Sequence, residues 1–150
     1  MGERLVRVAA GRTSDGRASW ESLLADRQAD GSFVLLRSRC LALDLARADR
    51  FVSDPVSGSY EVIERSGRLT VQMYFPEQIT DDELEQLTSI TARLEGGLDA
   101  HTANVAAMWV PVEVGFPRVE AALTETVAAM GRAQWIFGNV YGDDGQPLNW

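Results

Sequence analysis

Few residues of this chain can do acid–base chemistry near neutral pH. His101 is the only histidine. In Leu98-Asp99-Ala100-His101 it shares a strand face with Asp99, and a carboxylate there would orient or charge the imidazole. With Tyr74 and Arg68 these two form a candidate reactive set for proton transfer. The spacing places no nucleophile beside them, so an isolated surface histidine is the simpler reading. Cys40 is the single cysteine. It can close no internal disulfide, and in the apolar run around it a thiol behaves as a small hydrophobe. Asp81, Asp82, Glu83 and Glu85 crowd together, but at the start of a helix such acids complement the macrodipole. Gly142 to Gln146, "GDDGQ", lacks the spaced oxygens and terminal glutamate of a calcium loop. No metal and no cofactor is expected. Ile63 to Phe75, "IERSGRLTVQMYF", sets a small-residue turn between two strand-like runs, as a phosphate cradle would. A cradle needs amides that open a helix, whereas a strand follows here. Arg65-Ser66-Gly67 therefore reads as a junction.

The elements that must position these residues fall into two halves. In the first, "RLVRVAA" alternates apolar and charged residues before the turn "GRTSDGR". "ASWESLLADR" is ambiguous between strand and short helix, Asp30-Gly31 marks a hairpin, and "SFVLLRS" is a short strand. "LALDLARAD" has helical spacing at Leu41, Leu45 and Ala48 but is too short for an independent helix. "RFVSDP" and "YEVIER" complete about five strands, which predict a small barrel or curled sheet over residues 1–66. In the second half, Leu69, Val71, Met73 and Phe75 point one way, and Thr70, Gln72 and Tyr74 the other. Thr80-Asp81-Asp82-Glu83 is a capping box, followed by the stripe Leu84, Leu87, Ile90 and Leu94 and a stop at Gly96-Gly97. Two strands, "LDAHT" and "VAAMWVPV", precede a helix opened by Pro117 and ended by Gly131, with Val119, Leu123 and Met130 on its apolar face. "AQWIFGNVY" is the last strand. The order strand, helix, strand, strand, helix, strand predicts a ferredoxin-like βαββαβ unit over residues 67–141. Pro111 cannot donate to a ladder and is expected at a strand end. Residues 142–150 form a tail with Leu148 and Trp150, apolar enough to dock on the chain's own surface or on a second copy. The fold class is α+β.

Composition excludes several functions. An apolar share of 45% with four tryptophans supports a packed interior. No apolar run approaches the ~20 residues of a membrane helix. The N-terminus has no secretory core, which leaves a cytoplasmic setting. All 14 basic residues are arginine. Up to Gly67 there are 10 Arg and 10 acids; from Arg68 onward there are 4 Arg and 12 acids, so the net charge of −8 sits wholly in the second half. Such a surface repels nucleic-acid backbones and favours a basic partner.

Three stretches carry a resemblance. Trp20-Glu21-Ser22-Leu23-Leu24-Ala25, Leu41 through Asp49, and Ser66-Gly67-Arg68-Leu69-Thr70 resemble the "VESLWA", "GLALGD" and "SGHST" signatures of a bacterial family designated domain of unknown function 4265. The resemblance spans most of residues 18 to 130. It implies this fold and a cytoplasmic setting, and brings no activity. Where the family pattern has a junction histidine this chain has Arg68, and Asp44 and Ala48 replace glycines of the middle turn.

These readings favour a non-catalytic binding or accessory protein with a ligand site in the groove between the halves, lined by Trp20, Arg68, Tyr74 and Trp109. One version is an immunity-type protein whose acidic face, including Glu83 and Glu85, blocks a basic partner, with Leu148 and Trp150 as further contacts. The alternative is a small biosynthetic enzyme that uses His101, Asp99, Tyr74 and Arg68 in an apolar pocket. A homodimer built through the sheet or the tail is a third reading.

Overall fold

The computed structural model describes residues 2–12, 15–37 and 45–140. Cys40, the start of the "LALDLARAD" segment, and the tail with Leu148 and Trp150 lie outside them. Among the described residues nine strands form two antiparallel sheets, and two α-helices cover one of these.

The first sheet is a meander of β1 (Glu3–Arg12), β2 (Ala18–Arg27), β3 (Phe33–Leu35), β4 (Arg50–Ser53) and β5 (Tyr60–Glu64), paired in that order. The ambiguous "ASWESLLADR" is strand β2, because alternation puts Leu23 and Ala25 into the interior opposite Val6 and Arg4. Val6, Val8, Leu23, Leu35, Leu45 and Phe51 form its core. The barrel expected of this half does not close: among the described residues no ladder joins β5 to β1. β1 and β2 have ten residues each, while β3 has three and β4 four. The central strands are thus too short to carry a continuous ladder round. The sheet curls instead. The Ala9 amide donates to the Gly58 carbonyl at 2.9 Å in the β4–β5 turn. Trp20 lies over that same glycine, where a Cβ would meet the indole at 2.4 Å, so only glycine fits.

The second sheet contains β6 (Arg68–Tyr74), β7 (Gly97–His101), β8 (Val105–Pro111) and β9 (Gln134–Phe137) in the order β7-β8-β6-β9. α1 (Asp81–Arg93) connects β6 to β7, and α2 (Phe116–Met130) connects β8 to β9. Leu69, Val71 and Met73 of β6 are fully buried beneath both helices, against Leu87, Ile90 and Leu94 of α1 and Val119 and Leu123 of α2. The Thr80 capping box forms in both directions, and Gly131 ends α2 in the left-handed region. α1 ends differently from the Gly96-Gly97 stop. Its left-handed residue is Glu95, while Gly96 is required because a Cβ there would lie 1.9 Å from the Trp109 carbonyl oxygen. Pro111 closes β8 opposite Arg68, where a missing amide costs no interior ladder bond.

Candidate functional site

The chemically richest region is the face of the second sheet turned away from its helices, where the Leu45–Asp49 turn and the β5–β6 junction meet it. Alternation along β6 places Arg68, Thr70, Gln72 and Tyr74 on this face, and the register adds Trp109 opposite Thr70. Thr70 and Gln72 are nevertheless buried. The Thr70 hydroxyl donates to the Leu45 carbonyl at 3.3 Å, and the Tyr74 hydroxyl donates to Gln72 Oε1 at 2.6 Å. The Arg68 guanidinium stacks on Trp109, 4.7 Å from the ring centroid, and donates to the Arg47 carbonyl at 3.3 Å.

Two buried carboxylates anchor the junction. Asp49 is wholly inaccessible. Its oxygens accept the amides of Ser66 at 2.8 Å and Ala46 at 2.9 Å, with the Arg65 guanidinium 3.9 Å away. Burial pushes the Asp49 carboxyl above the usual range, against the lowering effect of those amides and of Arg65. Asp99 has a side chain only 3% exposed and faces Arg47 at 3.5 Å. The Ser66 hydroxyl also donates to the Arg47 carbonyl, at 2.8 Å. Beyond β9, Asn139 takes over the role of a strand: its side-chain oxygen accepts the Thr70 amide at 2.8 Å, and its amide nitrogen donates to the Arg68 carbonyl at 2.9 Å.

Arg68, Tyr74 and Trp109 of the expected ligand-binding set therefore share one sheet face. Trp20 belongs to the other sheet, stacked under Arg7 at 4.9 Å and packed on Gly58. The candidate reactive set is drawn into separate contacts. Asp99 turns to Arg47 and Tyr74 to Gln72, while exposed His101 places Nδ1 3.2 Å from the Thr102 carbonyl. Glu83 is buried, bonded to the Thr80 amide and to Arg132 at 2.6 Å, and Arg132 holds its carboxyl down at about 2. Glu85 is exposed. Among the described residues no group of three or more His, Cys, Asp or Glu is arranged to hold a metal, and no helix is long and apolar enough to cross a membrane. Arg47, Asp49 and Asn139 carry no signal in the linear pattern, because partners of each come from distant segments.

Two antiparallel sheets, one backed by a pair of helices and meeting the other at a polar junction, define an α+β protein. Within that class the chain belongs to the family described as a domain of unknown function, number 4265, whose model matches residues 21–135. The fold is similar to the crystal structure of a hypothetical protein from Neisseria gonorrhoeae, with a TM-score of 0.69 and 13% identity, over 92% of this chain and 96% of that one. At that identity the likeness shows the fold alone. No curated protein matches the chain.

Proposed function

We propose that this is a non-catalytic binding or accessory protein whose ligand seat is the junction between the two sheets. The observation that carries this reading is the stacked Arg68–Trp109 pair, on the same sheet face as Gln72 and Tyr74. A stacked guanidinium is held ready for a ligand at little entropic cost, which is how binding sites gain affinity. The separate engagements of Asp99, Tyr74 and His101 favour binding over the proton-transfer alternative. As part of the same reading, the second sheet and its helices form a ferredoxin-like unit, supported by the strand order β7-β8-β6-β9 with a helix in each crossover. The first half is its barrel-like companion, and the lone cysteine suits a cytoplasmic setting.

Native mass spectrometry of protein purified gently from its own type of host tests the seat. The expected result is a discrete added mass that disappears on denaturation and is absent from Trp109→Ala. A bare protein, or an adduct indifferent to Trp109, would remove the support.

A second reading rests on the helical layer. Glu77, Asp81, Asp82, Glu85, Glu120 and Glu125 are all exposed there, against Arg93 and Arg118. Of these acids Glu125 lines a groove of about 330 Å³ between α1 and α2, together with Arg93 and Ile90. Such a face suits a basic protein partner, as in an immunity-type protein. Reversing Asp82 and Glu85 to Arg should abolish capture of a discrete partner that survives reversal of Glu61 and Glu64 in β5. Equal loss in both variants would make the effect one of net charge alone.

A further inference from the structure

Resting on the junction reading, we infer that the ligand group seated there is an oxyanion, a carboxylate or a phosphate, and that Arg68 is its principal donor. Among the described residues Arg68 pairs with no carboxylate; its contacts are the Trp109 ring and the Arg47 carbonyl. The guanidinium has five N–H donors in a planar fork that matches carboxylate and phosphate oxygens, and one bond to a carbonyl leaves most of them open. The Trp109 ring lies 4.7 Å from the guanidinium carbon, and the indole is itself confined: a Cβ on Gly97 would lie 3.1 Å from Trp109 Nε1.

The surroundings favour an anion. Arg47 and Arg65 converge on the same junction, and the two acids facing them, Asp99 and Asp49, are buried behind them. Exposed Glu113 lies beside Gly67 without pairing to Arg68. The Ser66 and Thr70 amides do not supply the recognition, because they are already bound to Asp49 and Asn139. The binding group is thus the side chain, which separates this site from a phosphate-binding loop.

Inorganic phosphate and acetate, titrated separately against the full chain, serve as probes, and the Trp109 indole N–H resonance is the readout. A saturable shift in the millimolar range is expected. It should weaken at least about tenfold, about 1.4 kcal/mol, in Arg68→Gln and less in Arg68→Lys, which keeps the charge but loses the fork. The tighter probe identifies the group. Absence of a saturable shift in the wild type, or an equal shift in Arg68→Gln, overturns the inference whether or not the variants fold well. In that case a native adduct retained by Arg68→Gln would leave the binding reading standing, and loss of any adduct would remove both.

Discussion

Ala48 holds a φ of 71°, in the left-handed region that penalises any residue with a Cβ. The turn cannot relax, since the Ala48 amide donates to the Leu35 carbonyl at 2.7 Å and the Asp49 amide to that of Ala46 at 3.0 Å. The conformation costs alanine about 1–2 kcal/mol. Glycine removes that cost and returns about 0.5–1 kcal/mol of it through a freer unfolded chain. Ala48→Gly is therefore expected to stabilise the protein by about 0.5–1 kcal/mol, read as a higher urea midpoint with an unchanged slope. A lower midpoint would show that the turn is not limited by the Cβ. Arg68 and Trp109 were legible in the sequence as large residues on strands beside a junction. Asp49 was not, because its partner Ser66 lies 17 residues away and a buried acid looks like a surface acid in the linear pattern.

At the scale of elements, local signals survived and long-range ones did not. The capping box of α1 was legible because Thr80 and Glu83 are three positions apart. Its reinforcement by Arg132 was hidden, since that residue is 49 positions from Glu83. The pair gives the helix terminus a defined pH dependence. The Arg132 guanidinium lowers the Glu83 carboxyl from an ordinary 4.5 to about 2. A folded-state value below the unfolded one means stability that is fully present above pH 4.5 and is lost as the pH falls toward 2. Glu83→Gln should cost about 1–2 kcal/mol at neutral pH through the weakened cap and charge-assisted bonds. The gap between wild type and variant should close across that acid window. Denaturation followed at a series of pH values checks it, and a gap constant with pH would assign the effect to packing. The curl of the first sheet shows the reverse case: alternation revealed which residues of β1 and β2 point inward, but nothing local states where a ladder ends.

Over the whole molecule, two hydrophobic clusters share no residue and meet across a polar junction. Cohesion between the sheets therefore depends on a few directed contacts: Asp49 with the Ser66 amide and Arg65, Thr70 with Leu45, and Arg47 with Asp99. Hydrophobic patterning specifies each layer, which is why both halves were readable as sequences of elements. The junction was not, since its contacts join a turn of the first half to β6 and β7 of the second. Asp49→Ala would leave two inward-facing amides without their acceptor and would remove the carboxylate 3.9 Å from the Arg65 guanidinium, whose side chain is only 9% exposed. Breaking a buried pair in this way costs about 3–5 kcal/mol. The loss should fall unequally, because the Leu45–Asp49 turn packs with the first sheet while the helices continue to hold the second. Single-tryptophan variants separate the two, with Trp20 reporting on the first sheet and Trp109 on the second. In the wild type both probes should give one denaturant midpoint, as a two-state molecule requires. In Asp49→Ala the Trp20 midpoint should fall well below that of Trp109. Equal falls would mean that the sheets remain a single cooperative unit without this carboxylate, and that the apolar contacts around Leu45 carry the coupling instead.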